Sequence, residues 1–266
     1  MRLIWSGALA FGLVTIPVKV FSATESKNEV RFRLLDEETL SPIKEVRIDP
    51  KTGKEVPWER IVHGVEYARG KYLALDDKDL KSLPLPTANT VDIFGFVDAG
   101  EVDPLFYDRP YFLGPDKGAA KAYELLRQTL EHEKKLALGK VTLRNREHLV
   151  AVRPEERALA MVTLHYADEV RNPAGVPGLD GKVQIQENER RMAAQLVRSM
   201  AVPFAPAEYK SEYKQALNKL IKAKVEGKHL PPSTRPSAQV IDLQRALRES
   251  LQQVKHGPDK RRRRIA

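Results

Sequence analysis

The hydrophobic period of this 266-residue chain changes near residue 183, and that change limits its fold more than any other feature. Before it, apolar residues recur mostly at alternate positions, in short runs cut by glycine and proline; after it, they recur at spacings of three and four. Such an order predicts a mainly antiparallel β domain followed by helices. Between residues 3 and 21 the runs are broken by Gly7, Gly12 and Pro17, which fits bent or bulged strands. Val91, Ile93 and Val97 mark a further strand, and the runs at 141–143, 149–152 and 158–164 form an antiparallel meander. One helix interrupts the β pattern. It is expected from Gly114-Pro115-Asp116 to about residue 137, with Asp116 as its N-cap and apolar residues at Ala119, Ala122, Tyr123, Leu126, Leu130 and Leu136. The β part reads as a barrel in preference to a sandwich.

From residue 184 onward, Ile185, Met192, Leu196 and Met200 keep helical spacing until Pro203-Phe204-Ala205-Pro206 breaks it. A second helix is expected from there to Gly227, with a stripe of Tyr209, Tyr213, Leu217, Leu220 and Ile221. The expected organisation is a β core over 1–183, helices over 184–228, a proline-rich linker over 229–239, a last amphipathic helix over 240–254 and a basic tail over 255–266. The last helix presents Ile241, Leu243, Leu247 and Leu251 on one face.

The chain carries a formal charge of +9. Much of it lies in the tail, since residues 228–266 hold ten Lys and Arg against three acids. A balance of this kind favours an anionic partner. Cysteine is absent, which excludes disulfides, thiolate metal sites and cysteine nucleophiles and suits a reducing cytoplasm. No long apolar stretch or small-residue cleavage site follows Met1, so neither a signal peptide nor a membrane span is expected. The six histidines never fall at the spacing that puts two ligands on one helix face, so neither a metal nor another cofactor is expected. Gly53-Lys54 and Gly139-Lys140 each resemble the end of a phosphate loop but lack its upstream glycine and its Ser or Thr. One permissive match to an enzyme exists: Asp116, Glu133 and Lys135 fit the loose pattern of a magnesium-dependent nuclease.

Two basic features stand out. Arg31, Arg33, Lys44, Arg47, Lys51 and Lys54 flank a strong turn signal, Asp49-Pro50-Lys51-Thr52-Gly53, and read as a basic hairpin in which Arg31 and Arg33 share a face. Such an array suits phosphates, but on these residues alone a solvated edge strand that blocks aggregation is the better reading. The run Lys260, Arg261, Arg262, Arg263 and Arg264 contains no acid and is either an anion-binding tail or a solubilising end. No aromatic platform for stacked bases is evident, which weighs against a general RNA or ribosome binder.

The opening run, Met1-Arg-Leu-Ile-Trp-Ser-Gly-Ala-Leu-Ala-Phe-Gly-Leu-Val-Thr-Ile-Pro-Val-Lys-Val-Phe21, resembles the start of the bacterial Ku family. Further segments resemble that family in order: Gly64-Val-Glu-Tyr-Ala-Arg-Gly70, Tyr111-Phe-Leu-Gly-Pro-Asp116, Lys121-Ala-Tyr-Glu-Leu-Leu126, residues 139–154, Leu164-His-Tyr-Ala-Asp-Glu169, Glu208-Tyr-Lys-Ser-Glu-Tyr213, Lys224-Val-Glu-Gly227 and Ile241-Asp-Leu-Gln-Arg-Ala-Leu247. The resemblance covers nearly the whole chain. It implies a Ku-type β-barrel with a DNA-encircling bridge and a C-terminal helical arm, assembled as a homodimeric ring around duplex DNA ends without sequence preference. It implies no catalytic residue, and recruitment of the multidomain ATP-dependent DNA ligase of bacterial end joining through the segment after the helices, with Ile241, Leu243, Leu247 and Leu251 as the contact face. By position the basic hairpin resembles the bridge, which makes Arg31, Arg33, Lys44, Arg47, Lys51 and Lys54 the expected lining of the ring. The address it implies is the cytoplasm, on the nucleoid. The tail departs from some members of the family in being a short arginine cluster.

Overall fold

A computed structural model of the chain describes residues 1–25, 30–76, 78–79, 89–144, 146–179, 181, 183–228 and 243–255. It divides into two units, Met1–Gly175 and Val176–Ala266.

The first unit is built on nine strands: β1 (Leu3–Phe11), β2 (Val14–Ser22), β3 (His63–Ala68), β4 (Lys71–Leu75), β5 (Thr90–Asp98), β6 (Tyr107–Pro115), β7 (Lys135–Leu143), β8 (Arg146–Glu155) and β9 (Ala158–Leu164). Seven of them close a barrel in the order β1-β2-β6-β9-β8-β7-β5, and β3 and β4 form a separate two-stranded sheet. The barrel is antiparallel except at its seam, where β1 and β5 run parallel through three pairs, Ala8↔Thr90, Leu9↔Val91 and Ala10↔Asp92. Closure removes the free edges that a seven-stranded open sheet would expose.

Local chemistry accounts for this shape. Gly12 takes φ +56° in the tight turn that joins β1 to β2. Gly139, which resembled a phosphate-loop residue, lies inside β7 beside a bulge in β5, where a Cβ would come within 2.7 Å of the Asp92 carbonyl oxygen. Its role there is close backbone packing. Leu9, Ile16, Val18, Val91, Val141, Val150, Val152, Leu159 and Met161 fill the interior, together with Tyr123, Leu126 and Leu130 from the helix α1 (Ala120–Glu133).

The expected barrel is present, with its one packed helix shorter than its apolar spacing predicts. Gly114 and Pro115 still belong to β6, and Gly118 at φ +78° turns the chain before α1 begins. Asp116 therefore does not cap the helix. Ala119 occupies the cap position without a side-chain bond, while the Asp116 carboxylate accepts from Lys19 Nζ and from the Lys117 backbone N–H, each at 2.8 Å. At the other end Lys134 adopts φ 54° and Leu136 opens β7; an apolar residue at that position suits a strand as well as a helix.

The second unit holds α2 (Glu187–Ser199), α3 (Glu212–Val225) and α4 (Leu243–Lys255). Glu189 accepts from the Gln186 N–H at the start of α2, and Ser211 accepts from the Lys214 N–H at the start of α3. The second helix thus starts later than the apolar spacing predicts, because a short turn at Pro206–Glu208 precedes Ser211. Helix α4 packs against α2. The linker 229–239 and most of the tail lie outside the described residues.

Candidate nucleic-acid interface

Between Ser22 and Thr90 the chain leaves the barrel and returns to it, and this insert contains the expected hairpin. From residue 31 to residue 74 every residue is exposed except Asp49 and Val56, which are half-buried. The insert is not hydrophilic. Phe32, Leu34, Ile43, Ile48, Trp58, Val65, Tyr67, Tyr72 and Leu73 are all exposed. Four of these are aromatic: Phe32, Trp58, Tyr67 and Tyr72.

Order in the insert rests on turns more than on strands. Residues 31–34 form no strand, so the alternation that would set Arg31 and Arg33 on one face does not apply. A first turn is closed by the Ile43 N–H donating to Leu34 O and the Asp36 N–H donating to Ser41 O. A second is a minimal hairpin: the Val56 N–H donates to Arg47 O at 2.7 Å, the Asp49 N–H donates to Lys54 O, and Ile48 bridges Glu55. Its tip is tied internally. The Asp49 carboxylate accepts from the Lys51 N–H and the Thr52 hydroxyl, which hold it below the usual carboxylate range, and Gly53 takes φ +65°. Gly53-Lys54 is thus turn chemistry.

Charge in the insert is balanced, and its cations form few close pairs among the described residues. Residues 30–76 contain nine Lys and Arg and nine Asp and Glu. Yet among the described residues Arg31, Arg33, Lys44, Arg47, Lys51 and Lys54 make no salt bridge. Arg47 has a different partner: its guanidinium carbon lies 4.5 Å from the centroid of the Trp58 ring. Several of the barrel's cations are engaged. Lys19 meets Asp116 at 2.8 Å, Lys135 meets Asp98 at 2.9 Å, Lys140 meets Glu147 at 3.0 Å, and Arg127 meets both Glu124 and Glu131 at 2.8 Å.

The nuclease pattern is not assembled. Asp116 precedes α1 and Glu133 ends it, and a 14-residue helix is ~21 Å long. Each member also has its own partner, Lys19 for Asp116, His132 for Glu133 and Asp98 for Lys135. Among the described residues no group of three or more metal-ligating side chains occurs.

In the second unit, Leu247 and Leu251 are half-buried on α4, as are Met192, Ala193 and Leu196 on α2. Gln244 Nε2 donates to Glu189 Oε1 at 3.2 Å across the same helix pair. Leu243 opens α4, Ile241 lies outside the described residues, and so do Arg261, Arg262, Arg263 and Arg264. No helix among the described residues is long and apolar enough to cross a membrane.

Comparison with known proteins joins these observations. A family model described as the Ku70/Ku80 beta-barrel domain matches residues 10–196, a span that takes in the insert and all of the barrel but most of β1. The non-homologous end joining protein Ku of Heliobacterium modesticaldum is 41% identical over 257 residues, covering 96% of this chain and 93% of that protein. The protein of the same name from Opitutus terrae is 40% identical over 265 residues, covering 98% and 95%. That of Archaeoglobus fulgidus is 39% identical over 255 residues, covering 96% of this chain and the full length of the relative. A closed barrel interrupted by one long exposed insert, with similarity along nearly the whole length, places this chain in the Ku family.

Proposed function

We propose that two copies of this chain join through their inserts into a ring that holds duplex DNA at broken ends, binds without regard to base sequence, and serves non-homologous end joining by passing the ends to an ATP-dependent DNA ligase. The observation that carries this reading is the insert itself. A two-stranded sheet of five- and six-residue strands is marginal in water alone, and β3 and β4 expose the paired Val65 and Leu73. A second copy that covers this face would stabilise it, as burial of a large apolar side chain is worth about 1.5–3 kcal/mol. Arg31, Arg33, Lys44, Arg47, Lys51 and Lys54, which make no salt bridge among the described residues, then remain for phosphates, which suits an anionic polymer read by its backbone. The relatives' name, non-homologous end joining protein, supplies the process.

Recruitment of the ligase belongs to α4 on this reading, and Arg261 to Arg264 add nonspecific attraction to DNA. The packing of α4 on α2 sets a condition on the ligase. Either α4 lifts from α2 to offer Leu247 and Leu251, or the ligase takes its outer side, where Arg248 and Glu249 are exposed.

One duplex sequence tests the proposal when prepared linear and with both ends closed by hairpin loops, titrated at two salt concentrations. Tight binding to the open duplex and weak binding to the closed one is the expected result, because a ring loads from an end. Equal binding to both would reduce the insert to an ordinary basic surface and remove the ring.

A further inference from the structure

We propose that Trp58 is a positioning residue for DNA: by stacking under Arg47 it holds that guanidinium as a pre-formed phosphate fork at the mouth of the 47–56 hairpin. This rests on the ring reading above. The geometry begins with the hairpin register. Ile48 bridges Glu55, and the Val56 N–H donates to Arg47 O, so Arg47 and Val56 face each other across the two strands. Trp58 lies two residues beyond Val56. Diagonal neighbours of this kind stand within reach of aromatic and long side chains, and the Arg47 guanidinium carbon sits 4.5 Å from the indole centroid.

The indole is fixed from its own side. Pro57 precedes it in extended backbone, and the short turn Trp58–Arg60 is tied by the Arg60 N–H donating to Pro57 O and the Ile61 N–H donating to Trp58 O. Trp58 is 67% exposed, so core packing does not explain its position. Among the described residues no carboxylate pairs with Arg47.

What this arrangement does follows from the shape of guanidinium. With its carbon 4.5 Å from the ring centroid, the guanidinium lies over the indole, and those of its N–H donors not turned to the ring stay available for phosphate oxygens. A free arginine loses rotamer freedom when it grips a phosphate; one already stacked has lost much of it. Lys51 and Lys54, on the turn beyond, have no such support and act as point charges.

The test is a double-mutant cycle on the full-length protein with a short blunt-ended duplex, in which affinity is measured across a salt series. Arg47→Ala should weaken binding about tenfold and lower the slope of log affinity against log salt by ~0.9 for each guanidinium withdrawn from a phosphate. Trp58→Ala should weaken it about two- to fivefold, the worth of an exposed cation–π pair, and leave the slope unchanged because the charge remains. Trp58→Phe should regain most of that loss. The double variant should bind no more weakly than Arg47→Ala alone. Additive losses, or loss of the dimer in sedimentation of Trp58→Ala, would overturn the proposal by giving Trp58 a separate role. Loss on Arg47→Ala with none on Trp58→Ala would overturn it too, and leave the ring standing. If neither variant weakens binding, the fork is overturned, while the open and closed duplexes still decide the ring independently.

Discussion

In the barrel, Lys19, Arg127, Lys135 and Lys140 each lie within 3.0 Å of a carboxylate, and Leu9, Val91, Val150 and Leu159 are fully shielded from solvent. In the insert, Arg31, Arg33, Lys44 and Lys54 have no ion-pair partner among the described residues, and Phe32, Trp58, Val65 and Leu73 face solvent. The two regions draw on similar residue types. What separates them is that the barrel encloses a core and pairs several of its cations, whereas the insert encloses no core and leaves its apolar side chains and cations exposed. Apolar surface unpaired within a chain points to an apolar partner, and cations unpaired within it point to an anionic one. The insert therefore has two kinds of partner on the reading proposed above, and the barrel is the support that carries it.

The sharpest way to break this contrast is to damage each region in turn. Leu159→Ala opens a cavity in the barrel interior and should cost about 2–5 kcal/mol, seen as a lower Tm in thermal unfolding. Tyr123→Phe should cost about 1–3 kcal/mol, because the hydroxyl donates to Leu113 O at 2.6 Å and accepts from the Leu159 N–H at 2.7 Å, and its loss leaves both buried groups unsatisfied. The paired change Val65→Glu with Leu73→Glu should leave the barrel's Tm within a degree or two and dissociate the dimer in sedimentation. A fall in Tm comparable to that of Leu159→Ala would mean that the insert packs as part of the barrel after all.

A weaker and more selective effect is expected from charge. Reversing Arg31, Arg33 and Lys51 together should reduce DNA affinity and flatten its salt dependence while the dimer persists. An unchanged slope would move the phosphate contacts to other residues. The smallest effect is one of pH. Burial, with Arg146 nearby, lowers the pKa of His148 in the barrel. The unfolded chain then takes up the proton first, so the barrel should lose stability as pH falls from about 6.5 toward the lower folded value, and His148→Gln should remove that component. Asp49 in the insert is shifted down by the Lys51 N–H, so its turn should hold until pH falls below the ordinary aspartate range, as followed by its carboxyl resonance.

Much of the barrel was legible because a closed antiparallel sheet writes itself as alternation cut by glycine, and Gly12 and Gly139 sit where the backbone needs them. The ends of α1 were not legible. Leu136 satisfies a helical stripe and a strand equally, and Asp116 has the chemistry of a cap while its carboxylate is taken by Lys19, a residue 97 positions away. The same limit applies to the insert. Its cations were identified from the sequence, but whether each meets a carboxylate is a question of three dimensions, and alternation alone suggested strands where residues 31–34 have none. The Arg47–Trp58 stack was within reach of pattern reasoning, since a turn centred on residues 49–54 brings 47 and 58 to opposite sides of its mouth.

The parallel seam has a mechanical consequence. Any load applied to the insert enters the barrel at its two ends, Ser22 of β2 and Thr90 of β5. At the first of these, β2 is held by a long register with β1 on one side and by β6 on the other. At the second, β5 meets β1 through only three pairs, and Thr90 is the first of them. Tension drawn through the insert would thus peel the seam one pair at a time from its loaded end, while the antiparallel register between β5 and β7 keeps β5 attached to the rest of the wall. A pull through the insert is therefore met at the barrel's shortest register, and because the fully shielded Leu9 and Val91 are its middle pair, opening the seam would uncover the core at once.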